Sequence, residues 1–183
     1  MDKRALRRAC FARVRALSDM EKASASEAIC ATIQNLPGWD TVETVFSYLP
    51  MASEPALTAL FHEFPEKCWG FSRVSEDGSQ LSFHEVRSEK DLREGSYGFL
   101  EPDPASCRVL DAPDWILVPG VGFCRESQAR LGRGKGHYDR YLSNLASKGY
   151  HPRKLGICFE TQIGPLTPEA HDVPMDAIIT EKG

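Results

Sequence analysis

Apolar residues recur at helical spacing from the start of the chain. Leu6, Cys10, Val14 and Leu17 fall on one stripe, with Lys3, Arg4, Arg7, Arg8, Arg13 and Arg15 around them. Because 3.6 residues per turn returns such positions to one face, the spacing predicts an amphipathic helix. Ser18-Asp-Met-Glu21 then supplies the hydroxyl and carboxylate of a capping box, which predicts a second helix running to about Ile33. Leu36-Pro-Gly38 ends it. At Thr44 the pattern changes, and Thr44–Leu49 reads as a short strand. The segment from Glu54 to Phe64 reads as a helix with Pro55 in its first turn. Two further strands, at about 68–74 and 80–87, flank Glu76-Asp-Gly78, a hairpin signal.

The stretch from Ser88 to Pro113 is polar, proline-rich and irregular, and is expected to run over the surface. Trp115-Ile-Leu-Val118 is an uninterrupted apolar run, the pattern of a strand covered on both faces. Pro119-Gly-Val-Gly122 stops it. Tyr138, Tyr141, Leu142 and Leu145 give one further helix face, closed by Gly149, and Lys154–Phe159 and Ala177–Thr180 are the last predicted strands. Strands and helices alternate along most of the chain. The expected fold is therefore α/β, an open, mostly parallel sheet with helices on both faces, in one domain over residues 1–183.

Composition narrows the function. A chain of 183 residues buries roughly 70% of its unfolded surface and needs neither disulfides nor a structural metal to hold a core. A net charge of −4 argues against general binding to nucleic acid or to membrane surfaces, so any basic cluster is a local feature. The six cysteines are scattered without a C-x-x-C pair, which fits reduced thiols and a cytoplasmic setting. No apolar run approaches the ~20 residues of a membrane span. The Arg- and Ala-rich start also has the composition of an organelle transit peptide, the alternative reading of the first helix.

The densest chemistry lies in Arg130-Leu-Gly-Arg-Gly-Lys-Gly-His-Tyr-Asp139. Glycines let the backbone approach a ligand and expose N–H groups, and the predicted helix that follows favours an anion at its N-terminus. Arginine and lysine match phosphate oxygens, and Asp139 is a hard ligand for a divalent cation. The spacing is neither that of a Walker A loop, which needs Ser or Thr after the lysine, nor the G-x-G-x-x-G of dinucleotide-binding folds. A phosphate cradle and a flexible basic surface loop both fit the composition. Lys3, Arg4 and Arg7 stand where cations oppose the helix macrodipole, which points to a shared anion, although a solvated basic face fits too. His171-Asp172 could suggest an HD-type hydrolase, but that class needs several more His and Asp ligands on a nearly all-helical scaffold and this chain reads as strand-rich, so Asp172 reads as a carboxylate that can join Asp139 around magnesium through water. No nucleophile–base pair stands out.

Taken together, these residues resemble the 5-formyltetrahydrofolate cyclo-ligase family. The resemblance runs through Lys3-Arg-Ala-Leu-Arg7, Tyr48-Leu-Pro-Met-Ala-Ser-Glu54, Tyr97-Gly-Phe-Leu-Glu-Pro102, Leu117-Val-Pro-Gly-Val-Gly-Phe123 with the cradle, Gln162, Pro168-Glu-Ala-His-Asp172 and Ile179-Thr-Glu181. It implies a fold similar to the sugar-phosphate isomerase and CoA-transferase type. It implies an enzyme, expected as a monomer, that uses ATP and Mg2+ to cyclise 5-formyltetrahydrofolate to 5,10-methenyltetrahydrofolate, releasing ADP and phosphate. By the same resemblance, ATP is held by Lys3, Arg4, Arg7, Arg130, Leu131, Gly132, Arg133, Gly134, Lys135, Gly136, His137 and Tyr138. The folate contacts Arg7, Leu49, Glu54, Arg133, Gly134, Lys135, Gly136 and His137, Arg133 and Lys135 are catalytic, and Asp139 and Asp172 hold the metal.

The chain departs from the family pattern at His137, usually aromatic, at Cys124, usually Asp, at Pro55, and in the turn Arg125–Ala129. Two other functions remain open on the sequence, a non-catalytic nucleotide- or folate-binding relative and a small kinase with another acceptor.

Overall fold

The structure is a computed structural model that describes residues 2–95 and 98–183. Tyr97, which opens the mid-chain element named above, lies outside the described residues. Six strands form the main sheet: β1 (Thr44–Ser47), β2 (Cys68–Val74), β3 (Leu81–Glu85), β6 (Trp115–Pro119), β9 (Arg153–Ile157) and β10 (Ala177–Ile179). Their spatial order is β10-β9-β6-β1-β2-β3. All neighbours are parallel except β2 and β3, which pair antiparallel from Gly70↔Glu85 to Val74↔Leu81. The sheet is thus mostly parallel, with one antiparallel edge strand.

Strand β6 is buried along its whole length, which explains why it lacks polar alternation. Val45, Leu117 and Leu155 face one side of the sheet and pack with Ile29 and Ile33 of α2 (Asp19–Gln34) and Leu60 of α3 (Thr58–Glu63). Phe46, Ile116 and Val118 face the other side and meet Leu142 and Leu145 of α4 (His137–Ser147). Neighbouring strand residues therefore feed opposite cores, and each buried aliphatic or aromatic side chain contributes roughly 1.5–3 kcal/mol. Helix α1 (Lys3–Arg15) joins neither layer. Its Cys10 packs on Val121 and Leu131, and its Val14 on Ala25 and Phe159, so the basic helix lies across the end of the sheet that carries the cradle.

The capping box at Ser18 forms in both directions. Helix α3, in contrast, begins at Thr58 rather than Glu54. Residues 54–56 are committed elsewhere: Glu54 accepts from the Met51 N–H, the Pro55 carbonyl accepts from the Tyr48 hydroxyl, and the Ala56 N–H donates to Ser26 Oγ. The irregular stretch after Ser88 contains a small antiparallel ribbon, β4 (Leu92–Glu94) with β5 (Leu100–Pro102). Past the stop at Pro119, a second ribbon, β7 (Gly122–Cys124) with β8 (Ala129–Leu131), leads into the cradle. All six cysteines are free, and five of them are buried. Among the described residues no helix is long and apolar enough to cross a membrane.

Candidate active site

The chain leaves β1 toward β2 on one side and later returns through β6 on the other, so the strand order reverses between β1 and β6. Open parallel sheets form a crevice at the carboxyl ends of such a pair. Tyr48 and Leu49 follow β1, and Pro119 and Gly120 end β6; all four line one cavity of about 530 Å³. The cradle forms its opposite wall through Gly132, Arg133 and Lys135 to Tyr138. On its far side the cradle bounds a second cavity, also of about 530 Å³, lined by Lys3 and Arg7 of α1, Asp139, Arg140 and Ser143 of α4, and Glu169, His171 and Asp172. Arg130, Gly132, Lys135 and Gly136 line both.

The cradle takes this path because two of its glycines adopt backbone that side chains rarely adopt: φ is +104° at Gly134 and +66° at Gly136. A Cβ on Gly136 would also stand 3.0 Å from Arg140 Nη1. Arg7 Nε donates to the Gly132 carbonyl at 2.8 Å, so α1 holds the loop from outside. Arg130 is buried and holds it from within, with Nη2 2.8 Å from Asp139 Oδ2 and its guanidinium 5.3 Å over the Tyr138 ring. Its Nε has no hydrogen-bond partner among the described residues.

The polar cavity concentrates charge. Lys3 Nζ lies 3.1 Å from both Glu169 Oε2 and Asp172 Oδ2. Burial alone pushes the Asp172 carboxyl up, but the Glu169 N–H and the Lys3 ammonium outweigh it and hold the carboxyl below its usual range. Burial likewise works against the Lys3 charge, and the two carboxylates overcome it and raise the ammonium. Asp139 accepts from Arg130 on one oxygen and from the Val173 N–H, at 3.3 Å, on the other. Both aspartates thus present hard oxygens, with lone pairs to spare, to one cavity. That suits magnesium, which takes one or two protein carboxylates and completes its shell with phosphate and water. Glu169, His171 and Asp172 also offer ligand atoms within 4.8 Å of one another, a group without Asp139.

In the less polar cavity Glu54 is oriented on both oxygens. Oε1 lies 2.9 Å from Arg133 Nη2, and Oε2 accepts from the Met51 N–H at 3.0 Å. Arg133 reaches Ser53 Oγ as well, and its side chain lines this cavity only. Tyr138 faces the same side, and burial pushes its phenol pKa up, so the hydroxyl stays protonated.

The expected residues therefore divide between two chambers. Lys3, Arg7, Leu131, Gly134, Asp139 and Asp172 line the polar cavity; Leu49, Glu54, Arg133, His137 and Tyr138 line the other; Arg130, Gly132, Lys135 and Gly136 belong to both. Arg4 is exposed and lines neither. Arg140, Ser143 and Glu169 are additional wall residues. Helical spacing is the signal for the first two, since Arg140 and Ser143 follow Gly136 and Asp139 by one turn. The turn Glu76–Gly78, which lines the less polar cavity, carries no such signal because it arrives from a distant hairpin.

A model of the 5-formyltetrahydrofolate cyclo-ligase family matches residues 1–181. The probable 5-formyltetrahydrofolate cyclo-ligase of Schizosaccharomyces pombe is 31% identical over 178 residues, covering 86% of this chain and 84% of that protein. The 5-formyltetrahydrofolate cyclo-ligase of Mycoplasma pneumoniae is 28% identical over 185 residues and covers 100% of both chains. Among solved structures, the NMR structure of Aquifex aeolicus 5,10-methenyltetrahydrofolate synthetase superposes with a TM-score of 0.83 at 34% identity, covering 100% of this chain and 91% of that one. The Mycoplasma pneumoniae 5,10-methenyltetrahydrofolate synthetase superposes with a TM-score of 0.79 at 27% identity over 99% of each chain.

Proposed function

The chain belongs to the 5-formyltetrahydrofolate cyclo-ligase family, and we propose that it closes 5-formyltetrahydrofolate to 5,10-methenyltetrahydrofolate at the expense of ATP, with ADP and phosphate as the other products. The observation that carries this reading is the shared wall: Arg130, Gly132, Lys135 and Gly136 bound a cationic cavity on one side and a more apolar one on the other. Direct transfer needs the γ-phosphate of the nucleotide in line with the formyl oxygen of the folate, and two cavities that adjoin along one wall allow that approach at its edge.

The chemistry requires such an arrangement. A formamide oxygen is a poor leaving group, so direct ring closure is slow. Transfer of the γ-phosphoryl group to that oxygen makes it a good one. The neighbouring anilino nitrogen then attacks the activated carbon and loses its proton, and phosphate departs. The protein has little covalent work to do, and its contribution is alignment and charge stabilisation. Lys3, Arg7, Arg130 and the cradle N–H groups hold the nucleotide phosphates, and Lys135, present in both cavities, neutralises charge on the group in transit. Leu49 supplies apolar contact to the pterin, and Glu54, held by Arg133 and the Met51 N–H, accepts hydrogen bonds from ring N–H groups. Magnesium, held by Asp139 and Asp172, would draw charge from the phosphate oxygens.

The test is the absorbance of methenyltetrahydrofolate during incubation with 5-formyltetrahydrofolate and MgATP. Formation of one product per ATP consumed is the expected result. Nucleotide binding without product overturns the reading in favour of a binding protein, and ATP consumption that needs a different acceptor overturns it in favour of a kinase.

A further inference from the structure

The turn between β2 and β3 lines the less polar cavity and touches the cradle. His137 Nε2 lies 2.8 Å from the Gly78 carbonyl. Arg140 Nη1 donates to the Lys135 carbonyl at 2.7 Å, while its Nη2 reaches the Ser79 carbonyl at 3.4 Å. Two side chains from the first turn of α4 thus grip the hairpin, and one of them holds the cradle at the same time. The turn is stiff enough to be gripped: the Asp77 carboxylate accepts from Ser75 Oγ, the Ser79 N–H and Ser79 Oγ, and Gly78 takes φ +70°. Glu76, Asp77 and Gly78 line the less polar cavity opposite the cradle residues Gly132 and Arg133, so the contacts join two walls of one chamber.

We propose that His137 and Arg140 are positioning residues that clasp the β2–β3 turn over the folate chamber and keep water from the phosphorylated intermediate. The inference rests on the cyclo-ligase reading and adds to it a requirement of the chemistry. The activated formyl carbon is electrophilic toward any nucleophile. If water adds there, the carbon–oxygen bond to phosphate breaks, phosphate and a proton leave, and 5-formyltetrahydrofolate is regenerated. ATP is then hydrolysed with no ring formed. Exclusion of water is what separates a ligase from a wasteful phosphatase. Both the neutral ring with its proton on Nε2 and the imidazolium donate to the Gly78 carbonyl, so the clasp does not depend on the charge of His137.

Three variants test it: His137→Phe, which keeps an aromatic face but removes the donor, Arg140→Met, and the two combined. Asp77→Ala loosens the same turn from the hairpin side. Wild type is expected to release one phosphate per methenyl product. The double variant is expected to release more than about two, with the folate KM raised roughly three- to tenfold per lost contact. His137→Phe separates the folate chamber from the nucleotide, because His137 does not line the polar cavity. Its nucleotide affinity measured without folate should stay within twofold of wild type. Hydrogen exchange over residues 75–80 reads the clasp without turnover, and faster exchange in the double variant is expected. Unchanged exchange overturns the clasp whatever the activity. Tight coupling in the double variant, beside an active wild type, overturns its role in excluding water. Absence of methenyl product from wild type itself overturns the cyclo-ligase reading instead.

Discussion

Glu54 and Lys135, two side chains of the proposed site, have surroundings that differ enough to predict different kinetic effects. Glu54 has one oxygen on Arg133 and the other on the Met51 N–H, so its direction is set before any ligand arrives. In Glu54→Gln one acceptor oxygen becomes a donor NH2, which faces either Arg133 or the Met51 N–H with the wrong polarity and removes the charge that the ring N–H groups would meet. Hydrogen bonds to charged groups contribute about 1.5–3 kcal/mol, so the folate KM should rise roughly 10- to 100-fold. A nucleotide Kd that weakens in parallel would show that Glu54 instead supports the whole cradle. Among the described residues Lys135 has no such fixed partner, and it lines both cavities. Lys135→Ala should lower kcat at saturating ATP by about a hundredfold or more, the scale of removing one electrostatic contact to a transition state. Unchanged turnover at saturation would remove Lys135 from the transfer step.

At the scale of elements, α1 is tied to the site through titratable groups. It meets the polar cavity through Lys3 on Glu169 and Asp172, and through Arg7 on the cradle. Asp172 is depressed in the fold, so its contribution is present above the ordinary carboxylate pKa of ~3.9 and is lost as pH falls through the folded value. Lys3 is raised, so its contribution is complete below ~10.4 and is lost as pH rises through the folded value. The Tm difference between wild type and Lys3→Met should therefore be widest near neutrality and shrink below pH ~4. A difference that persists in acid would mean that Lys3 acts by packing its stem and not by its charge. The helix itself was plain in the sequence, as was β6, because their apolar patterns exceed a helical turn or fill a buried strand. Ribbons β4–β5 and β7–β8 were not, since three-residue strands are too short to show a period. The sequence pattern places the start of α3 at Glu54, earlier than its true start at Thr58, because the Tyr48 hydroxyl and the distant Ser26 capture the backbone at Pro55 and Ala56. The same limit applies to the site. Local composition singles out the cradle and the two aspartates, and Glu54 enters through the family resemblance alone, whereas the division into two chambers and the arrival of Gly78 at His137 depend on long-range folding.

For the whole molecule, the reversal of strand order between β1 and β6 sets one loop between two cavities, and under the proposed function that predicts thermodynamic coupling. The cradle is pinned outside by Arg7 and inside by Arg130, yet Lys135 and Gly136 face both cavities. A nucleotide that fixes the loop from the polar side leaves less freedom to be lost when folate binds on the other, so the second ligand should bind more tightly. Couplings between sites commonly amount to about 1–3 kcal/mol, or roughly 5- to 150-fold in affinity. Titrating a non-reacting folate analogue with and without a non-hydrolysable ATP analogue and magnesium should place the effect in that range. Linkage demands that the nucleotide titration, repeated with and without the folate analogue, return the same factor. Equal affinities in all four titrations would mean that the cradle is already rigid in the free protein. The wall between the chambers would then be a fixed frame for both ligands, and the catalytic advantage would lie in alignment alone.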